Sequence, residues 1–215
     1  MGTEREVAQA LLRIHAVGFN AHSPVTFKTG IVSPVYVDNR TFPFHPDAWG
    51  EIIRGFESTI KNENIVFDVL AGIESAGIPH SAALGFAMQK PSLFIRKQPK
   101  DHGLKKRVEG GEVSGRTVLL VEDLVSTGSS SLSGVEAIRA EGGTVRDCLV
   151  IVSYGFPEAH DAFKSAGVQL HALTTFSAIL EEAEKERVID ADTKTAVEDW
   201  LRDPHGWGAR RGVAH

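Results

Sequence analysis

Two runs in the chain are apolar without interruption: Val118, Leu119, Leu120 and Val121, and then Leu149, Val150, Ile151 and Val152. A strand that is apolar on both faces must be covered on both faces, and chains meet that demand with parallel sheets sandwiched between helices. The intervening segments carry helical period. Val7, Leu11, Leu12 and Ile14 form one apolar face, expected to end near Gly18. Ile52, Ile53, Phe56 and Ile60 form a second, and Leu132, Val135 and Ile138 a third that Gly142 and Gly143 close. A strand is expected at VFDVLA (66–71), then a helix at GIPHSAALGFAM, strands at SLFI, TVLLV and VRDCLVIV, a helix from about Pro157, and a strand at VQLHALTT. Strand and helix alternate, so the expected class is α/β with a central, mostly parallel sheet flanked by helices.

Composition narrows the function. A chain of 215 residues with no repeat, no low-complexity tract and no Pro/Gly linker suits a single domain spanning 1–215. With 42% hydrophobic and 24% charged residues, disorder is excluded as the main state. No apolar run approaches the length of a membrane span, and the N-terminus is too charged for a secretory segment, so a cytoplasmic protein with no membrane partner is expected. The balance of 23 basic against 28 acidic residues argues against nucleic acid as a partner. Cys148 is the only cysteine, which rules out an intramolecular disulfide, and its apolar neighbours place it in the core. His45, His80 and His160 lack metal-ligand spacing.

The stretch VEDLVSTGSSS carries chemistry. A buried strand is expected to end at Glu122 and a helix to begin near Ser129, which puts the residues between them at the carboxyl edge of the sheet. The backbone N–H groups of residues 126–130 would then be free donors at the positive end of a helix, a seat for phosphate. Gly128 permits close approach, and the hydroxyls of Ser126, Thr127, Ser129, Ser130 and Ser131 add donors. Glu122 and Asp123 would repel a phosphate they faced, so hydroxyls of a sugar are the better partners. Together these imply a ribose 5-phosphate. A strand running into an N-capped helix, with no ligand at all, accounts for the same letters.

VLLVEDLVSTGSSS resembles the phosphoribosyl-diphosphate signature of the type I phosphoribosyltransferases. FKTGIVSPVYVDNR (27–40), AGIESAGIPHSAAL (71–84) and FIRKQPKDHG (94–103) resemble, in that order, segments of the orotate phosphoribosyltransferases, and the likeness runs from about residue 7 to about residue 180. The resemblance implies transfer of ribose 5-phosphate from phosphoribosyl diphosphate to N1 of orotate, with Mg²⁺ carried on the diphosphate and no metal held directly by the protein. It also implies a small N-terminal hood built from roughly the first 45 residues. Phosphoribosyl diphosphate would be held by Lys28, Glu74, Ser75, Arg96, Lys97, Lys100, His102, Glu122, Asp123, Leu124, Val125, Ser126, Thr127, Gly128, Ser129 and Ser130. Of these, Lys100, His102, Glu122 and Asp123 would serve catalysis. Orotate would meet Ser33, Pro34, Tyr36, Ser126 and Tyr154.

Residues 96–116 show no period, and a stretch of that length in a compact domain marks a functional or mobile loop. In the family such a loop closes over the site and reaches a neighbouring subunit, which implies a homodimer whose loop residues act in trans. One departure stands out: where many orotate enzymes carry an arginine for the orotate carboxylate, this chain has Tyr154 in VSYGFPEAH. Two alternatives keep the same residues: a phosphoribosyltransferase for another base, or a non-catalytic regulator that senses phosphoribosyl diphosphate. The tail DPHGWGARRGVAH carries no pattern that assigns it a role.

Overall fold

The computed structural model describes residues 4–21, 23–27, 29–98 and 106–212. The chain opens with α1 (Glu4–Arg13), which buries Val7, Ala8, Leu11 and Leu12, and continues into β1 (Val17–Phe19). The helix therefore stops earlier than the expected end near Gly18. His15 takes a φ of 55°, which a right-handed helix does not accommodate, and Gly18 lies inside a strand. β2 (Val25–Thr26), β3 (Val32–Ser33) and β4 (Val35–Val37) follow; β1 pairs with β4 and β2 with β3, both antiparallel. A 3-10 helix, Asn39–Phe44, capped by the Asp38 side chain, leads into α2 (Pro46–Asn62), whose proline at the first turn suits a helix start.

The α/β body comprises β5 (Val69–Ile73), α3 (Gly77–Met88), β6 (Ser92–Ile95), β7 (Val108–Glu109), β8 (Thr117–Val125), α4 (Ser129–Ala140), β9 (Thr144–Ser153), α5 (Pro157–Ser165) and β10 (Gln169–Thr175). Three helices complete the chain: α6 (Phe176–Lys185), α7 (Ala191–Arg202) and α8 (Trp207–Arg210). The body's six-stranded sheet has the order β10-β9-β8-β5-β6-β7, parallel throughout except that β7 runs antiparallel to β6. This is the sheet the uninterrupted apolar runs demand. Along β8 the side chains alternate between two cores, Leu119 and Val121 on one face, Val118 and Leu120 on the other. Cys148 is fully buried in the second core, as its neighbours imply.

Some boundaries differ from expectation. The first strand of the sheet is 69–73, not 66–71: Val66 is 82% exposed, and Asp68 is fixed ahead of the strand by hydrogen bonds with the Thr117 backbone in both directions. β8 runs on to Val125, past the expected end at Glu122, so both acids lie within the strand. Inside the segment 96–116 the structure has β7 and the buried Val113; two residues of strand are too few to show a period. The C-terminal tail forms α8 and folds back on the N-terminal strands, with Trp207 buried and Gly208 so close to Val32 that a Cβ there would lie 2.8 Å from the valine's. Among the described residues no helix is long and apolar enough to cross a membrane.

What positions a site is the order of the strands. From β5 the chain steps outward to β6 on one side, whereas β8, which pairs with β5 on its other side, leads on to β9 and β10. The connections after β5 and β8 thus diverge, and a crevice opens at the carboxyl ends of those two strands.

Candidate active site

Glu122 and Asp123 stand near the end of β8, at the mouth of that crevice. Glu122 is 5% exposed; burial first, and then the charge of Asp123, hold its carboxyl well above its ordinary value. Burial also raises Asp123, partly offset by hydrogen bonds from Glu122, from backbone N–H groups and from Asn39. Among the described residues, Glu122 accepts from the Asp123 N–H at 3.3 Å and from the Ser130 hydroxyl at 3.4 Å, both long bonds. Asn39, itself fully buried, donates from Nδ2 to the Asp123 carbonyl at 2.9 Å and so ties the N-terminal region to the acidic pair.

Residues 126–128 turn directly into α4. Gly128 caps that helix with a φ of 81°, and a Cβ on it would meet the Phe163 ring at 2.9 Å, so both backbone and packing require glycine. No side chain caps α4 at Gly128, and the first N–H groups of a helix have no intrahelical partner, so donors point out of the sheet edge here. The Thr127 and Ser129 hydroxyls lie 3.0 Å apart above them. Ser129 and Ser130 are exposed, whereas Ser131 is buried and Val125 is 1% exposed with its side chain in the core, so Val125 has only its backbone to offer.

The strand next door supplies a second wall. Glu74 and Ser75 follow β5, and the peptide between them is cis. The Glu74 carboxylate accepts from the Lys97 N–H at 2.9 Å, which joins the end of β5 to the end of β6, and the Lys97 charge acts on Glu122. Close packing underlies this geometry: a Cβ on Gly72 would lie 2.7 Å from the Gly77 carbonyl, so α3 starts hard against β5. Arg96 is half-buried and faces Glu109 at 3.9 Å. Lys28, Lys100 and His102 lie outside the described residues.

On the other side of the acids, a pocket of about 460 Å³ opens between the N-terminal strands and β8. Its apolar walls are Val25, Phe27, Val37 and Leu124; its hydroxyls come from Thr26, Thr29, Tyr36, Ser126 and Tyr154. Three of the residues expected at a base, Tyr36, Ser126 and Tyr154, are therefore brought together. Ser33 and Pro34 do not line this pocket: both are buried, and the Ser33 hydroxyl donates to the Val35 carbonyl at 2.8 Å and accepts its N–H at 3.2 Å. Tyr154 stacks on Phe156 and Phe176 with centroids 5.5 and 5.2 Å away, and burial pushes its phenol well above the ordinary value. It is a fixed wall whose hydroxyl stays neutral. His80 is also excluded from proton transfer here: burial lowers it to about 4, and Trp49 donates to its Nδ1 at 3.0 Å.

Two residues of the site went unnamed in the sequence, Asn39 and Arg40. Their signal was a polar triplet, Asp38, Asn39 and Arg40, following an apolar stretch, but the contacts that give it meaning are tertiary.

The start of α4, the acidic pair and the pocket beside it thus stand at one switch point, and comparison with known proteins gives the chain a family. The model of the phosphoribosyl transferase domain matches residues 46–170. The chain is 39% identical over 207 residues to the orotate phosphoribosyltransferase of Coxiella burnetii, covering 96% of this chain and 99% of that protein. The crystal structure of orotate phosphoribosyltransferase from Aeropyrum pernix superposes with a TM-score of 0.72 at 25% identity, over 83% of this chain and 98% of that one. The Mycobacterium tuberculosis orotate phosphoribosyltransferase in complex with 5-phospho-α-D-ribosyl 1-diphosphate gives 0.65 at 25% identity, over 82% of this chain and 98% of that one. The chain belongs to the phosphoribosyltransferase family. A further relative, the orotate phosphoribosyltransferase of Bacteroides thetaiotaomicron, is 37% identical over 206 residues, covering 96% of this chain and 97% of that protein.

Proposed function

We propose that the chain is an orotate phosphoribosyltransferase, which transfers the ribose 5-phosphate of phosphoribosyl diphosphate to N1 of orotate and yields orotidine 5′-monophosphate and pyrophosphate, a step of pyrimidine synthesis. The observation that carries this reading is Ser126: it belongs at once to the loop that opens α4 and to the lining of the base-sized pocket, so phosphosugar and base would meet around it.

In this reading residues 124–130 receive the 5-phosphate through backbone N–H groups and the hydroxyls of Ser126, Thr127, Ser129 and Ser130. Glu122 and Asp123 accept the ribose hydroxyls, which are neutral donors and avoid the repulsion a phosphate would meet there. Glu74, Ser75, Arg96 and Lys97, with Lys28, Lys100 and His102, surround the diphosphate. The base lies between Tyr36, Tyr154 and Ser126. The transition state resembles an oxocarbenium ion with a departing polyanion, so the residues act by positioning, by neutralising charge and by excluding water.

Mg²⁺ would be carried on the oxygens of the diphosphate, with no direct protein ligand, where it would neutralise the leaving pyrophosphate. The chain works as one domain, 1–215, with its N-terminal strands as the hood, in the cytoplasm. It functions as a homodimer in which the loop between β6 and β7 serves the partner's site; an active mixed dimer of Lys100→Ala and Asp123→Asn chains, each inactive alone, tests this. For the activity itself, pyrophosphate release with orotate is set against release with adenine, hypoxanthine and guanine. Release with orotate alone is expected. Release only with a purine would replace the assignment, and release with none would remove it.

A further inference from the structure

The pocket beside the acidic pair is a poor host for an anion. Its described lining offers hydroxyls and apolar surface and no charged side chain, and Glu122 and Asp123 lie just beyond it. Orotate carries a carboxylate that is ionised at neutral pH, so the base needs a cation, and the described lining of the pocket provides none. Arg40 is at hand. Its Nη2 donates to the Tyr36 hydroxyl at 2.8 Å, and Tyr36 lines the pocket and is 42% exposed. Asp38 holds the guanidinium from behind, accepting from Nε at 2.6 Å and from Nη2 at 2.8 Å.

An inventory of donors makes this arrangement specific. Nε and Nη2 together have three N–H groups, and the three bonds to Asp38 and Tyr36 account for them. Both N–H groups of Nη1 remain, with no bond to a described residue. The Tyr36 oxygen accepts from a cation, which directs its own proton outward and makes it a stronger donor. The result is a guanidinium clamped by a carboxylate and joined to the hydroxyl of a residue that lines the pocket. The guanidinium also feels the charge of Asp123, which places it in the field of the site.

We propose that Arg40, clamped by Asp38 and hydrogen-bonded to the Tyr36 hydroxyl, recognises the carboxylate of the base, and that this pair sets the preference for an anionic pyrimidine over its neutral counterpart. The proposal rests on the activity proposed above and answers how the carboxylate is held where Tyr154 occupies the place of an arginine.

The test compares kcat/KM for orotate and for uracil, together with calorimetric affinities for orotidine 5′-monophosphate and uridine 5′-monophosphate, in wild type, Arg40→Gln, Arg40→Lys and Tyr36→Phe. Arg40→Gln is expected to lower kcat/KM for orotate about 10²-fold, leave uracil and the KM for phosphoribosyl diphosphate within about twofold, and erase the preference for the carboxylated nucleotide. Arg40→Lys should restore part of that preference, since it keeps the charge and loses the fork. Tyr36→Phe should lose roughly tenfold on orotate, less than Arg40→Gln loses. An Arg40→Gln protein that keeps its orotate preference overturns the proposal, as does one that loses both bases and phosphoribosyl diphosphate equally. A wild type that turns over neither base but binds the carboxylated nucleotide more tightly, with the preference lost in Arg40→Gln, overturns the activity and upholds the recognition.

Discussion

Glu122 is kept under conditions that a carboxylate resists. Buried and beside a second acid, it favours the protonated form in the folded chain, whereas in the unfolded chain it ionises near 4.5. The folded state therefore binds more protons than the unfolded one between those two values, and stability must fall as pH rises through that window; Asp123 shifts in the same direction and adds to the effect. Glu122→Gln is expected to raise the melting temperature of the unliganded protein at neutral pH, to flatten its fall from about pH 4.5 upward, and to cut turnover by about 10²-fold. Thermal unfolding across that range checks the first two and steady-state kinetics the third. A variant less stable than wild type at neutral pH would mean that the Ser130 and Asp123 contacts outweigh the cost of burial. At this scale the sequence was partly legible. Two acids followed by hydroxyls and a glycine interrupt an apolar run and so announce themselves, but Asn39 reaches Asp123 across 84 positions, and no local pattern encodes such a contact.

Among the elements, the β6–β7 hairpin bears most directly on catalysis. Its ends are closed by antiparallel pairing of Ile95 with Val108 and by the Arg96 N–H donating to the Arg107 carbonyl at 2.9 Å. Arg107 then reaches back: Nε donates to the Arg96 carbonyl at 2.7 Å, and Nη1 donates to the Ser133 carbonyl at 3.0 Å and its hydroxyl at 2.9 Å, on α4. The base of the loop is thus bolted to the helix whose start is assigned to phosphate. The chain between those ends carries Lys100 and His102. Pyrophosphate gains charge as it departs, so cations brought to it by this hairpin should lower the barrier more than they improve ground-state binding. Lys100→Ala is expected to cut kcat by about 10²-fold or more, about 3 kcal/mol, with a much smaller change in the KM for phosphoribosyl diphosphate. Normal kcat with raised KM would show that the lysine only binds. The segment was legible as basic and without period, whereas β7, paired to β6 in a strand of two residues, was not.

The whole molecule depends on its last helices in a way that composition does not reveal. The core on one face of the sheet is assembled from α1, the N-terminal strands, α2, α6 and α7, so residues near both ends of the chain meet there. Trp200 is where they meet: it is fully buried, donates from Nε1 to the Val32 carbonyl at 2.9 Å, and lies 5.2 Å from Tyr154, 5.4 Å from Phe156 and 6.1 Å from Phe27 between ring centroids. The repeating apolar stripe of α7 is short, and α8 covers only Trp207–Arg210, which is why the tail showed no pattern in sequence although it closes the core. Since Tyr154 and Phe27 also line the base pocket, the same indole that binds the termini together sets the back wall of the site. Trp200→Ala should therefore cost about 3–5 kcal/mol of stability, the usual range for removing a buried aromatic. In whatever fraction stays folded, it should raise the KM for the base more than that for phosphoribosyl diphosphate. Trp200→Phe keeps a ring but removes the donor and part of the indole's volume, leaving the Val32 carbonyl without its partner and a small cavity, so a loss of about 1–3 kcal/mol, below that of the alanine variant, with a nearly normal KM for the base is expected. Urea unfolding and a two-substrate kinetic matrix separate the two effects. If Trp200→Ala changes stability but shifts both KM values equally, the indole holds the fold together without shaping the pocket, and the link between the C-terminal helices and base binding is wrong.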